Sequence, residues 1–243
     1  MNQDMNLELK ALLFEGAKTF GVELSPAQLD AFMTYKDMLL DWNTRVNLTG
    51  ITEARDVILK HFVDSLTIAD LIQNAPASLI DVGTGAGFPG IPLKIIFPSL
   101  RVSLLDSLDK RLTFLKAVIS ALSLDGIETI HLRAEDAGRS KQLREQYDFA
   151  VARALAPLPT LLELCMPFVK VGGAFIAMKG ANAASEAAGS ENALAALSSE
   201  VAQVKEFDFE QIGAKRTIYV VRKLEPLSIK YPRQAGKPAK APL

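Results

Sequence analysis

Cysteine is nearly missing, with Cys165 the one thiol in 243 residues. A lone cysteine excludes an internal disulfide framework and leaves no pair to clip a zinc, which fits a reducing compartment. No apolar run approaches the ~18 residues needed to span a bilayer. The start, Met1-Asn2-Gln3-Asp4-Met5, lacks the basic region and apolar core of a secretory signal. An excess of one charge is missing too: the formal net charge is −1, so the chain as a whole is no electrostatic magnet for nucleic acid. These absences lead to the expectation of a cytoplasmic protein away from membranes, acting as a monomer with no obligate protein partner.

What is present is globular: 49% of residues are apolar and 23% charged. A chain of this length buries about 70–75% of the surface its unfolded form exposes, enough for one domain and a small appendage. Charge is uneven along it. From Gln211 to Leu243 eight basic residues face the single acid Glu225, a local +7. That is either a phosphate-facing surface or a solvated tail.

The first ~75 residues read as helices. Ser25-Pro26-Ala27-Gln28 is a capping box with proline at the first helical position. Leu29, Phe32, Met33, Leu39 and Leu40 then recur at helical spacing. A second amphipathic stretch runs from Arg55 to Ile72, and Pro76 stops it. From Ala77 short apolar runs alternate with helix-length segments: Ser78–Val82, Arg101–Asp106, Ile127–Leu132, Phe149–Ala152 and Ala174–Met178. Such alternation predicts right-handed crossovers and parallel strands. Val201–Phe209 and Thr217–Arg222 are joined by too few residues for a crossover helix, so they predict an antiparallel hairpin at the sheet edge. Ala181–Ser199 reads as a soft helix before it. The expected fold is α/β and Rossmann-like: a seven-stranded sheet of five parallel strands plus an edge hairpin, with helices on both faces. The expected parts are a helical extension over 1–75, the core over 76–224 and a basic, proline-rich tail over 225–243, lying on the core or free in solution.

Ser78–Val82 runs into Gly83-Thr84-Gly85-Ala86-Gly87-Phe88-Pro89-Gly90 and then a helix. Glycines permit a sharp turn and a close ligand, and the helix start offers unpaired N–H groups. Gly85-x-Gly87-x-x-Gly90 satisfies the dinucleotide fingerprint, with Asp106 where its ribose acid belongs. Asp81 before Gly83-x-Gly85-x-Gly87 instead matches the D-x-G-x-G-x-G turn of class I methyltransferases. The acid favours the second reading: inside the pocket Asp81 would repel a pyrophosphate but suits the ammonium of a methionine tail. The cofactor is then S-adenosyl-L-methionine, held by Asp81, Gly83, Gly85, Gly87 and Phe88, with Asp106 on the ribose. Arg133-Ala134-Glu135-Asp136, after the third strand, would border the adenine.

The fourth strand ends in Ala152-Arg153-Ala154-Leu155 rather than the Asn/Asp-Pro-Pro-aromatic sequence used on exocyclic amines. Methylation of a pyrimidine carbon needs a cysteine nucleophile, and Cys165 reads as a buried thiol past the strand tip. An acceptor that is already nucleophilic remains. A guanine N7 has a free lone pair and no proton to lose, so placement and desolvation suffice. Arg153, at the carboxyl end of its strand, is aimed where ligands sit in open α/β sheets; with Arg133 it is a candidate catalytic residue.

Taken together, these blocks resemble the RsmG (glucose-inhibited division protein B) family of bacterial 16S ribosomal RNA guanine-N7 methyltransferases. The resemblance starts at Trp42-Asn43 with Asn47-Leu48-Thr49 and His61-Phe62-Val63-Asp64-Ser65-Leu66. It continues through Asp81–Leu93, Leu104-Leu105-Asp106-Ser107 with Lys110-Arg111, Arg133-Ala134-Glu135, Arg153-Ala154 and Lys179-Gly180, and ends in Tyr231-Pro232-Arg233 with Gly236 and Pro238. It implies methylation of guanine 527 (16S rRNA numbering) in the small ribosomal subunit, with cofactor contacts at Gly83, Phe88, Ala134, Glu135 and Arg153. His61 becomes a candidate for shaping the pocket mouth or binding RNA. Lys110, Arg111, Arg133, Lys179, Arg216 and Arg233 are the other candidate RNA contacts, since arginine suits phosphate and guanine edges. Two rivals stay open: an NAD(P)-binding oxidoreductase, for which no catalytic acid or second substrate domain is evident, and a non-catalytic ribosome-assembly factor.

Overall fold

The computed structural model describes residues 2–72, 77–153, 155–180 and 189–243. Helix α1 spans Asn2–Lys18 and α2 spans Pro26–Asn43. The capping box before α2 forms as the sequence predicts: Gln28 N donates to Ser25 Oγ at 3.3 Å and Ser25 N to Gln28 Oε1 at 2.9 Å. A third helical run, α3, joins Ala54–Asp56, the wider π-helical Val57–Val63 and Asp64–Leu66. It stops short of the expected Ile72, leaving one 3₁₀ turn at Ala69–Leu71; the stop expected at Pro76 lies outside the described residues. The π segment has a physical partner. Arg153 Nη1 donates to the carbonyls of Lys60 (3.1 Å) and His61 (3.4 Å) within it.

Seven strands follow: β1 Ser78–Val82, β2 Arg101–Asp106, β3 Ile127–His131, β4 Tyr147–Arg153, β5 Val169–Lys179, β6 Ser199–Phe209 and β7 Ala214–Lys223. Their order is β3-β2-β1-β4-β5-β7-β6. The first five are parallel, and β7 runs antiparallel to both β5 and β6. This is the expected seven-stranded sheet with its edge hairpin. β5 begins at Val169 rather than Ala174, because Gly172 and Gly173 interrupt the apolar run without ending the strand. The connecting helices are α4 Gly90–Ile96, α5 Asp109–Ala121, α6 Ala134–Ala137, α7 Leu158–Cys165 and α8 Glu191–Ala196. Of the soft helix expected over Ala181–Ser199, positions 181–188 lie outside the described residues.

Strand periodicity decides which face each side chain joins. Leu79, Val151, Ile176 and Ile218 enter the core beneath α1, α2 and α3. Ile80, Ala150, Ala152, Phe175 and Tyr219 enter the opposite core, beneath α7. Asp81, Arg153 and Arg216 share parity with Leu79, Val151 and Ile218, so all three turn toward the N-terminal helices. The sheet order reverses at β1, where β2 leaves on one side and β4 on the other. Ligands in open α/β sheets sit outside the carboxyl ends of the strands at such a reversal.

The N-terminal helices also brace the glycine turn. Tyr35 of α2 is buried, stacks on Phe62 at 5.2 Å and Phe88 at 5.4 Å, and donates its hydroxyl proton to the carbonyl of Ala86. Burial pushes its pKa well above the usual tyrosine value, so it stays a donor. The tail is docked rather than free, ending in the short helix α9 (Lys237–Lys240). Cys165 is fully buried, as expected, and burial pushes its thiol pKa up.

Tyr35→Phe should lower stability in urea by about 1–2 kcal/mol with an unchanged slope, because a buried carbonyl loses its donor. Stability equal to wild type would remove this bond from the account.

Candidate active site

The turn between β1 and α4 is held by acids on two strand tips. Gly85 N donates to Asp106 Oδ2 at 3.0 Å. Asp81 Oδ2 accepts from Thr84 Oγ1 at 2.7 Å and from Gly90 N at 2.9 Å. Gly83 (φ +70°), Gly85 (+62°) and Gly87 (+98°) all lie in the left-handed region. A Cβ on Gly87 would stand 2.6 Å from Tyr35 Oη, so conformation and packing both require glycine there. Asp81 stands at the strand tip with its Oδ1 unpartnered. Its carboxylate is fully buried and braces the turn and the start of α4; it does not line the cleft described below. The strand parity that buries it was readable; its bond to Gly90, nine residues on, was not. Burial pushes its pKa up to about 6, against the pull of the Thr84 and Gly90 hydrogen bonds and the Arg153 charge.

Arg153 leaves the tip of β4 toward α3. Its Nη1 donates to Asp64 Oδ2 at 3.0 Å and its Nη2 to His61 Nδ1 at 3.1 Å, and its guanidinium carbon lies 5.0 Å from the Phe88 ring centre. An arginine only donates, so His61 Nδ1 accepts and Nε2 carries the proton. That proton goes to Thr49 Oγ1 at 2.8 Å. Thr49 is fixed in turn: Asn43 Oδ1 accepts from Leu48 N (2.9 Å) and Thr49 N (3.0 Å), while Asn43 Nδ2 donates to Thr49 O at 2.9 Å. His61 stacks on Phe88 at 4.4 Å and 13°. Burial, then the Arg153 charge, lowers its pKa to about 3. Asp64 is 4% exposed and shared, because Arg216 Nε donates to its Oδ1 at 2.6 Å. Asn43, Thr49 and Asp64 sit in the blocks that resemble the family, yet the spacing gave none of them a role. Tyr35 was missed altogether, since one tyrosine on an apolar helix face reads as core.

A cleft of about 250 Å³ opens at the carboxyl ends of β1, β2, β3 and β4. Gly83, Asp106, Arg111, Arg133, Ala134, Glu135, Leu132, Leu155 and Ala239 are among its walls. A larger cleft of about 530 Å³, around Ser78, Arg101 and Lys170, lies at the amino ends of the strands, the wrong end of such a sheet for a ligand. The carboxyl-end walls fit an adenosyl group by their chemistry: leucines for a purine face, and the carboxylates of Asp106 and Glu135 for hydroxyl and amine donors. A second observation marks the place. Among the described residues two buried side-chain polar atoms lack a partner, Asp81 Oδ1 beneath the glycine turn and Arg111 Nε beside Asp106. Unsatisfied buried groups are rare and collect at working sites.

The structure therefore brings Gly83, Asp106, Arg133, Ala134, Glu135 and Arg111 to one cleft, and Arg153, His61 and Phe88 to the adjoining cluster on the other side of the turn. Several residues expected to touch RNA face inward. Lys179 is buried and donates to the carbonyl of Ala156 at 2.7 Å. Arg233 binds the fully buried Glu163 through Nε at 2.8 Å. Arg216 is engaged by Asp64, and Arg111 by Asp106 at 3.2 Å. His61 is half-buried and stacked on Phe88. Lys179, Arg216 and Arg233 are drawn in by acceptors 23, 152 and 70 residues away, which charge counting along the chain does not see. Lys110 and Arg133 stay exposed, as do Lys215, Arg222, Lys230, Lys237 and Lys240 of the basic C-terminal stretch. Ala154 lies outside the described residues.

A parallel sheet with a terminal antiparallel hairpin and this glycine turn defines the class I methyltransferase fold. Solved structures agree on the fold. A 16S rRNA (adenine(1408)-N(1))-methyltransferase of Catenulisporales acidiphilia, determined with its cosubstrate SAM, superposes with a TM-score of 0.53 at 18% identity, over 66% of this chain and 91% of that one. A SAM-dependent methyltransferase of Aquifex aeolicus gives 0.51 at 18% identity, over 68% and 92%. Sequence goes further. The family model described as rRNA small subunit methyltransferase G matches residues 28–218. The chain is 51% identical to ribosomal RNA small subunit methyltransferase G of Acetivibrio thermocellus over 240 residues, 99% of each protein. It is 46% identical to the same-named protein of Alkaliphilus oremlandii over 98% of this chain and 100% of that one. The chain belongs to the rRNA small subunit methyltransferase G family.

Two titrations follow from the site. At pH 6 the ring nitrogens of His61 should report a neutral imidazole with its proton on Nε2 in ¹⁵N NMR; a cationic ring would contradict the bond from Arg153. Asp81 is bound to a proton more tightly when folded than unfolded, so its contribution to stability is fullest below about pH 4 and is lost as pH rises through about 6. Asp81→Asn should therefore gain stability relative to wild type between pH 4 and 6, read by urea unfolding; a pH-independent difference would contradict the buried, raised carboxyl.

Proposed function

We propose that this protein methylates N7 of a single guanine of small-subunit ribosomal RNA, guanine 527 in 16S numbering, using S-adenosyl-L-methionine. When bound, that cofactor supplies a sulfonium-activated methyl group. Gly83, Gly85, Asp106, Ala134 and Glu135 would hold it in the carboxyl-end cleft, with Arg153 and Phe88 beside the turn. Arg153 and Arg133 are the residues assigned to the reacting end, Arg133 because it is exposed on the cleft rim.

The observation that carries the choice of acceptor is the commitment of the neighbouring proton acceptors. His61 has both ring nitrogens engaged and stays neutral, the Asp64 carboxylate is held by two arginines, and the Cys165 thiol is buried. An acceptor that had to lose a proton would need a free base, and carbon methylation would need a reachable thiolate. A ring nitrogen with a lone pair needs neither. The chain's contribution is then to orient the two reactants and exclude water. Lys110, Arg133 and the exposed lysines of the C-terminal stretch supply the RNA-facing charge. The protein works on RNA in the cytoplasm as a monomer, with the helical extension, core and tail as parts of one site.

An N7-methylated guanine is cationic and its glycosidic bond labile, so borohydride and aniline cut the RNA there. Small-subunit RNA from cells lacking this protein should resist cleavage at that guanine, and adding the protein with cofactor should restore it. Cleavage in the deficient RNA would overturn the assignment. Calorimetric titration separates the oxidoreductase rival: S-adenosylhomocysteine should bind and NADH should not. Cofactor binding with no methyl transfer to any form of the RNA would favour an assembly factor.

A further inference from the structure

Three acids and an arginine of the core are turned toward the tail. Arg144 donates to the carbonyls of Leu227 (2.8 Å), Ser228 (3.1 Å) and Tyr231 (2.8 Å). Glu145 accepts from Leu227 N at 2.8 Å and from the buried Lys223. Glu163 on α7, with no exposed surface, accepts from Arg233 N at 2.7 Å and from its guanidinium. A buried carboxylate without a partner costs several kcal/mol, so the core is built to receive this segment. Leu227, Tyr231 and Pro238 are buried against it.

The third acid stands in the cleft. Gly236 N donates to Glu135 Oε1 at 2.8 Å. Gly236 sits at φ +80°, a left-handed turn that favours glycine and precedes α9. The carbonyl of Pro238 accepts from Thr160, another cleft residue, at 3.3 Å, and Ala239 forms part of the cleft wall. The family match ends at residue 218, before Gly236, Pro238 and Ala239.

We propose that the C-terminal segment 225–243 is a working part of the cofactor cleft, with Gly236 positioning Glu135 and Ala239 forming one wall. This rests on the cleft being the S-adenosylmethionine site. Arg144, Glu145 and Glu163 set where the segment lies, Gly236 holds the Glu135 carboxylate in one orientation, and the bulk at position 239 sets the room for the ligand. The tail thus determines affinity for the cofactor, not for RNA alone.

The test is calorimetric titration of full-length protein with S-adenosylhomocysteine. Wild type should bind; if it does not, the reading of the cleft fails and this proposal falls with it. Ala239→Phe should weaken binding by about tenfold or more, equal to about 1.4 kcal/mol, with an unchanged thermal midpoint, and Ala239→Ser should bind within about twofold of wild type. Gly236→Pro removes the N–H and forbids the turn. It should weaken binding several-fold in wild type and add nothing in a Glu135→Ala background, and in turnover it should raise KM for the cofactor while kcat stays near wild type. If hydrogen exchange shows residues 225–243 released in Gly236→Pro while affinity is kept, or Ala239→Phe binds as wild type, the segment is packing only and the proposal is overturned.

Discussion

The carboxylate of Asp64 is the point on which this site turns. It is buried in α3 and faces two arginines from different strands, Arg153 of β4 and Arg216 of β7. Strand parity sends both guanidiniums to the face covered by the N-terminal helices, where the shared carboxylate offsets the cost of burying their charge. Removing one partner of a buried pair leaves an uncompensated charge, at a cost of about 3–5 kcal/mol. The helical extension is therefore built into the candidate site: it supplies the anion that holds Arg153, the imidazole beside it and the tyrosine beneath the glycine turn.

The same arrangement manages charge. A guanidinium beside a cationic methyl donor would be repulsive on its own. Asp64 neutralises one of the two arginines, His61 stays neutral, and Asp81 adds a carboxyl whose pKa lies near 6. Fixed dipoles and charges of this kind lower a barrier because they need no reorganisation during the reaction. The rows of hydrogen bonds behind them, from Asn43 through Thr49 to His61, keep Arg153 in one rotamer.

Local signals in the sequence were enough for the sheet, the glycine turn and the capping box of α2, because each is set within a few residues. β1 and β2 match their expected ends residue for residue. The cleft acids Asp106 and Glu135 were legible for the same reason, Asp106 ending β2 and Glu135 opening the short helix after β3. What was not legible depends on long separations. Asp64 meets Arg153 across 89 residues and Arg216 across 152; Glu163 meets Arg233 across 70. Counting charge along the chain made the last 33 residues look like a solvated or RNA-facing stretch, whereas Arg216, Lys223 and Arg233 are paired with acids of the core. Asp81 stands on the strand tip the sequence gives it, but its bond to Gly90 becomes apparent only once the turn is closed.

The central claim is that Asp64 serves the cofactor through Arg153. A double-mutant cycle measures this directly, using affinity for S-adenosylhomocysteine in wild type, Asp64→Asn, Arg153→Met and the double variant. The account predicts that each single change weakens binding and that the double variant is no worse than Arg153→Met alone, a coupling of about 1 kcal/mol or more. Losses that simply add would show that the two residues act independently and would contradict it.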